Sequence, residues 1–184
     1  MLLVGNEMFV TDGEKFLKCY RIQPDGSYEY LGSIENDTGM AFEEPHAIQL
    51  ESGKIIVHIR VQDDTHYTTF QTESYDGGRT FTKPHQILDI KGGAPAHLMQ
   101  TKSGLLISTY TYRNAPYGVR VMFSKDEGET WETDVVLNDG FADADLGYPA
   151  SIELDNGDIL TVFYGHEVAE TPCKIYQDIW SYSV

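Results

Sequence analysis

An octapeptide occurs twice in this chain, 50 residues apart: Ser74-Tyr75-Asp76-Gly77-Gly78-Arg79-Thr80-Phe81 and Ser124-Lys125-Asp126-Glu127-Gly128-Glu129-Thr130-Trp131. Both read S-x-D-x-G-x-T-aromatic. An Asp in this setting bonds the N–H groups just after it, and Gly supplies the positive-φ position of a tight turn. The Thr and the aromatic ring then start the next strand. Two such hairpins at a fixed period point to a repeat architecture. Asp76 and Asp126 are turn-builders in this reading and carry no chemistry.

A second repeat runs in phase with the first. Pro45–Val57, Ala96–Ile107 and Pro149–Leu160 each hold a short strand, a Ser-Gly or Asn-Gly turn and a longer apolar strand. The turn glycines 53, 104 and 157 are spaced by 51 and then 53 residues. The longer strands, Ile55–Arg60, Leu105–Tyr112 and Ile159–Tyr164, are nearly continuous runs of Ile, Leu, Val, Thr and Tyr. Runs of that kind suit strands covered on both faces. Helical periodicity is interrupted throughout by Gly, Thr, Tyr and Pro.

The octapeptide resembles the Asp box, or BNR repeat, of sialidases and other β-propellers. The fold expected is all-β: antiparallel four-stranded blades at residues 7–34, 44–90, 95–138 and 148–182, within one partial propeller spanning 1–184. The first blade is expected to hold strands at Met8–Val10, Phe16–Ile22 and Tyr28–Ile34. The resemblance implies six blades, of which this chain supplies about three and a half. The expected partner is therefore either a second copy of the chain or a missing N-terminal half of the propeller.

The resemblance extends to site residues. Glu44-Pro45-His46 through Arg60, followed by an Asp box, is similar to the sialidase segment in which a Glu opens a strand and an Arg closes the next. Asp145-Leu146-Gly147-Tyr148-Pro149-Ala150-Ser151 is similar to the segment bearing the nucleophilic Tyr. The resemblance implies that Glu44 is the base and Tyr148 the nucleophile. Arg60 and either Arg113 or Arg120 would clamp the substrate, with His46, His97 and Asp145 lining the funnel. The chemistry is consistent: a sialic acid carries a carboxylate at its anomeric carbon, which arginine forks bind. That carboxylate repels a carboxylate nucleophile and favours a Tyr oxygen activated by a base. The activity implied is exo-hydrolysis of a terminal acidic sugar; the alternative is a glycan-binding or interaction module that keeps the propeller without catalysis. The family's first arginine and its Asp acid/base have no matching motif here, so the chain alone is expected to be incomplete as an enzyme.

Composition narrows the partners. With 29 acids against 13 bases the formal charge is −16, and a nucleic-acid surface needs a basic face. No apolar run approaches the roughly 18–20 residues of a membrane span, and the first residues do not read as a signal peptide. Localisation is left open, and no metal or cofactor is expected, since the Asp boxes are not calcium loops. Cys19 and Cys173 read as two small buried residues.

Overall fold

The computed structural model describes residues 2–5 and 16–182. Within them the chain forms four antiparallel sheets and no helix. The first sheet is β1 (Leu2–Gly5), β2 (Phe16–Ile22) and β3 (Tyr28–Glu35). The second is β4 (Ala41–Gln49), β5 (Ile55–Gln62), β6 (Tyr67–Ser74) and β7 (His85–Gln86). The third is β8 (Ala96–Gln100), β9 (Leu106–Tyr112), β10 (Gly118–Ser124) and β11 (Glu132–Asn138). The fourth is β12 (Gly147–Glu153), β13 (Ile159–Gly165) and β14 (Lys174–Trp180). Strands pair in chain order within every sheet, which is the up-and-down meander of a propeller blade. The strand expected at Met8–Val10 falls outside the described residues.

The chain divides into two compact units, Met1–Ile90 and Lys91–Val184, each holding two sheets. In the first, Leu17, Cys19 and Ile34 pack face to face on Phe42, Ile55, Val57, Ile59, Val61 and Phe70. In the second, Val119, Phe141, Leu146 and Phe163 form one cluster and Leu105, Ile107, Val121 and Ile159 another. The Phe141 ring meets Phe163 edge-on at 5.8 Å and Tyr176 at 5.1 Å, the geometry that aromatic quadrupoles favour.

Two expectations need correcting. β5 and β9 are covered on both faces, but β13 is covered on one. Its Ile159 and Phe163 are buried while Val162 is 37% exposed, beside exposed Ile152, Ile175 and Ile179. The fourth sheet packs by a single face within its unit, so an apolar run here does not mean two-sided burial. Cys19 is buried, yet Cys173 is exposed, because it lies in the polar segment before β14.

Both Asp boxes close by the same bonds. Ser74 Oγ donates to Asp76 Oδ1 and accepts Gly78 N–H, while Thr80 donates its N–H to Oδ1 and its hydroxyl to Oδ2. Ser124, Asp126, Gly128 and Thr130 repeat each of these contacts. The first box also locks two sheets together. A Cβ on Gly32 of β3 would lie 2.3 Å from Arg79 O, so only glycine lets that turn approach.

These bonds hold both carboxyls at about 2, below the ordinary 3.8; the Thr80 N–H is the main cause for Asp76 and the Thr130 hydroxyl for Asp126. Their contribution is complete above pH 3.8 and is lost as pH falls toward 2. Asp76→Ala and Asp126→Ala are expected to lower the melting temperature by several degrees at pH 7 and to converge with the parent near pH 2. Thermal unfolding against pH measures this; an unchanged melting temperature at pH 7 would contradict the structural role.

Candidate functional site

The turns at Gly53, Gly104 and Gly157 are built alike. The residue three before each glycine accepts its N–H and donates to the residue four further on, as in Gly53 N to Leu50 O and Leu50 N to Lys54 O. All three glycines have φ near +90°. Nine residues before each glycine stand Glu44, Pro95 and Tyr148.

At Glu44 and Tyr148 the inner strand slips. The β4–β5 register shifts between Glu43 and His46, and the β12–β13 register between Gly147 and Ala150. Glu44 takes φ 45° and Tyr148 φ 50°, and both precede a proline. Pro45 and Pro149 have no N–H to give the ladder, which suits them to an interruption. A bulge re-aims the side chain it carries, and Tyr148 is left 49% exposed. A positive φ at a non-glycine residue costs about 1–3 kcal/mol and persists where surroundings enforce it. Gly147 does so here: its φ is 133° and a Cβ would lie 2.3 Å from Thr111 Oγ1. That same hydroxyl accepts the Tyr148 N–H at 3.2 Å.

The first unit brings Glu43, Glu44 and Arg60 together. Arg60 lies across from Glu43 in the ladder. Its Nη1 donates to Glu44 Oε2 at 2.9 Å, and its Nε faces Glu43 Oε2 at 3.3 Å as an ion pair off the hydrogen-bond axis. Nη2 donates to Gln62 Oε1, and Tyr67 lies under the guanidinium at 5.1 Å. His46 stands across from His58. The buried His58 donates to Gln71 Oε1, whose amide donates in turn to Glu73. Burial pushes the His58 imidazole down to about 3, so it stays neutral.

The second unit brings Arg113, Asp145, Tyr148 and Tyr164 together. Tyr164 stacks on Tyr148 with centroids 6.1 Å apart, and its hydroxyl donates to Asp145 Oδ1 at 3.2 Å. Arg113 Nε and Nη2 donate to Leu146 O at 3.3 and 3.1 Å, gripping the main chain two residues before Tyr148. Arg120 is elsewhere. It is 5% exposed, its nitrogens donate to the carbonyls of Val119, Asn138 and Pro116, and Tyr112 covers its face. His97 Nδ1 accepts the Ser151 N–H at 3.3 Å, and burial lowers its pKa. Sequence reasoning passed over Tyr164, Gln62 and Tyr67. Tyr164 had a signal in its period-2 alternation with Val162, on the face that carries Tyr148.

If the slip serves function rather than stability, Tyr148→Gly should keep or raise the melting temperature. Relief of about 1–3 kcal/mol of strain offsets about 0.5–1.5 kcal/mol of lost ring stacking. Ala150→Gly, two residues on in extended backbone, should lower it. Thermal unfolding of the two variants decides; a larger loss at Tyr148 than at Ala150 would contradict the strain.

Comparison with known proteins agrees with this architecture. Residues 4–161 match the family described as BNR repeat-like domain. No curated protein matches. Among solved structures, a protein of unknown function from Dyadobacter fermentans is 23% identical, with TM-score 0.76 over 90% of this chain and 45% of its own. The Hadza microbial sialidase Hz136 is 14% identical, with TM-score 0.63 over 91% of this chain and 39% of its own. An α-L-arabinanase from Penicillium chrysogenum, solved with arabinobiose, is 13% identical, with TM-score 0.59 over 76% and 46%. The chain spans less than half the length of each of these structures. At such identities the likeness establishes the sialidase-like propeller fold.

Proposed function

This chain belongs to the BNR repeat-like domain family, and we propose that it supplies part of a propeller glycosidase that cleaves a terminal sugar with retention. Tyr148 is the nucleophile and Glu44 its base. Arg60 and Arg113 bind the sugar's acidic group, and Asp145 lies beside Tyr148. Of the two arginines left open by the sequence, Arg113 is preferred, because Arg120 is buried under backbone carbonyls. The observation that carries the reading is the pair of matched bulges. Two blades strain the backbone at the same position, once for a carboxylate and once for a phenol. A phenol of pKa about 10 is a poor nucleophile without a base and nearby cations.

One observation favours a second reading. Arg60 already holds Glu43, Glu44 and Gln62, so a substrate carboxylate would have to displace a glutamate. A neutral sugar, whose hydroxyls donate to these carboxylates, meets no such competition, and the arabinanase structure contains arabinobiose. Fluorogenic α-sialoside and α-L-arabinofuranoside, assayed side by side, separate the two. In the assembled propeller, the first reading expects sialoside turnover, falling by about 10²–10⁴-fold in Tyr148→Phe. It expects Glu44→Gln to add little to Tyr148→Phe, as for residues acting as a unit. Preferential arabinofuranoside turnover would establish the second reading and overturn the first.

A further inference from the structure

The segment after β13 folds back on the loop that leads into Tyr148. His166, immediately after β13, is 6% exposed. Its main-chain oxygen accepts the Ala142 N–H at 2.9 Å. Its Nδ1 lies 2.8 Å from Thr171 O, and its Nε2 lies 2.9 Å from Asp143 Oδ1 as an off-axis ion-pair contact. Asp143 Oδ1 also accepts the Asp145 N–H at 2.8 Å. Asp145 Oδ1 accepts the Tyr164 hydroxyl, and Tyr164 stacks on Tyr148. A continuous chain of contacts thus runs from His166 through Asp143, Asp145 and Tyr164 to the Tyr148 ring.

We propose that His166 is a positioning residue, an imidazolium clamp that ties the 142–145 loop to the 166–171 segment and so seats Asp145 and Tyr164 behind Tyr148. The protonation state follows from the acceptors. A main-chain carbonyl only accepts, so Nδ1 carries hydrogen. A bare Nε2 lone pair would then face a carboxylate oxygen at 2.9 Å, which is repulsive; a second hydrogen turns that contact into an ion pair. The charged groups facing His166 are Asp143 and, further off, Asp145; both favour the cation, while Thr171 contributes a neutral carbonyl. The bond to Thr171 and the pairing with Asp143 raise the imidazole above its ordinary 6.5. The clamp is therefore complete below pH 6.5 and is released as pH rises through the folded value.

The fold carries its own reporter. The Cys173 Sγ lies 3.5 Å from Asp145 Oδ2, and the thiol is exposed, with its pKa raised by local desolvation and then by Asp145. Cys19 is buried and pushed up to about 11, so it stays silent toward a thiol reagent. The reaction rate of Cys173 with Ellman's reagent, followed from about pH 6 to 9 beside a ¹⁵N NMR titration of His166, tests the clamp without requiring turnover. His166 is expected to titrate above 6.5. His166→Gln is expected to raise the Cys173 rate severalfold near pH 6 and to flatten its rise with pH relative to thiol ionisation. Asp143→Asn, which keeps the imidazole and the size of its partner, is expected to lower the His166 pKa and give the same labelling change. A His166 that titrates at or below 6.5, or labelling unchanged in both variants, would overturn the proposal. The link to function rests on the reading of Tyr148 above. Intact clamp signals without sugar binding support the clamp and remove that reading, so the two failures are distinguishable.

Discussion

The tight turns at Gly53, Gly104 and Gly157 fix the register on which the site depends. Each turn sets the pairing of an inner strand with the strand that follows it. Because side chains alternate with period two, a fixed register decides which face each residue serves. In the second and fourth sheets the ladder runs back from the turn until a proline cannot donate, and it slips there. Glu44 and Tyr148 stand at those slips. The apolar cores hold the sheets against one another, but the turn and the proline select the residue turned out of the ladder.

Electrostatics sets the character of what is turned out. The chain is strongly acidic, yet the three arginines that the sequence offered as sugar clamps sit in compensated surroundings. Arg60 lies between two glutamates, Arg113 grips a backbone carbonyl, and Arg120 is buried under three. Guanidinium groups held this way are well fixed in orientation, which helps recognition, but each already has acceptors that a ligand must match or displace. The carboxylates of Glu43, Glu44 and Asp145 are the complementary feature, suited to accepting sugar hydroxyls or a proton.

Much of the fold was legible in the sequence because turn chemistry is local. Ser-x-Asp-x-Gly-x-Thr contains every atom needed to close its own hairpin, and Asn-Gly or Ser-Gly does the same for the inner turns. Glu44 and Tyr148 were reached through the resemblance to sialidase segments; that each stands directly before a proline and nine residues before a turn glycine became a signal once the strand slips were seen. What stayed hidden depends on contacts distant in sequence. Arg113 directly follows β9 and Arg120 lies within β10, and only packing separates their roles. Tyr164 was one of twelve tyrosines until it stacked on Tyr148. His166 is a lone histidine whose two acceptors come from different loops. The one-sided cover of β13 was hidden because an apolar run does not record how many sheets pack on it.

The central claim is that the Tyr148 bulge presents a reactive oxygen to a sugar. Trapping of the assembled propeller with fluorinated glycosyl fluorides of the sialosyl and arabinofuranosyl types, followed by peptide mass spectrometry, tests it most directly, because such reagents leave the glycosyl group on a retaining enzyme's nucleophile. The account predicts a sialosyl adduct on the peptide containing Tyr148, absent in Tyr148→Phe. An adduct on Glu43, Glu44 or Asp145, or no adduct from either reagent, would contradict it.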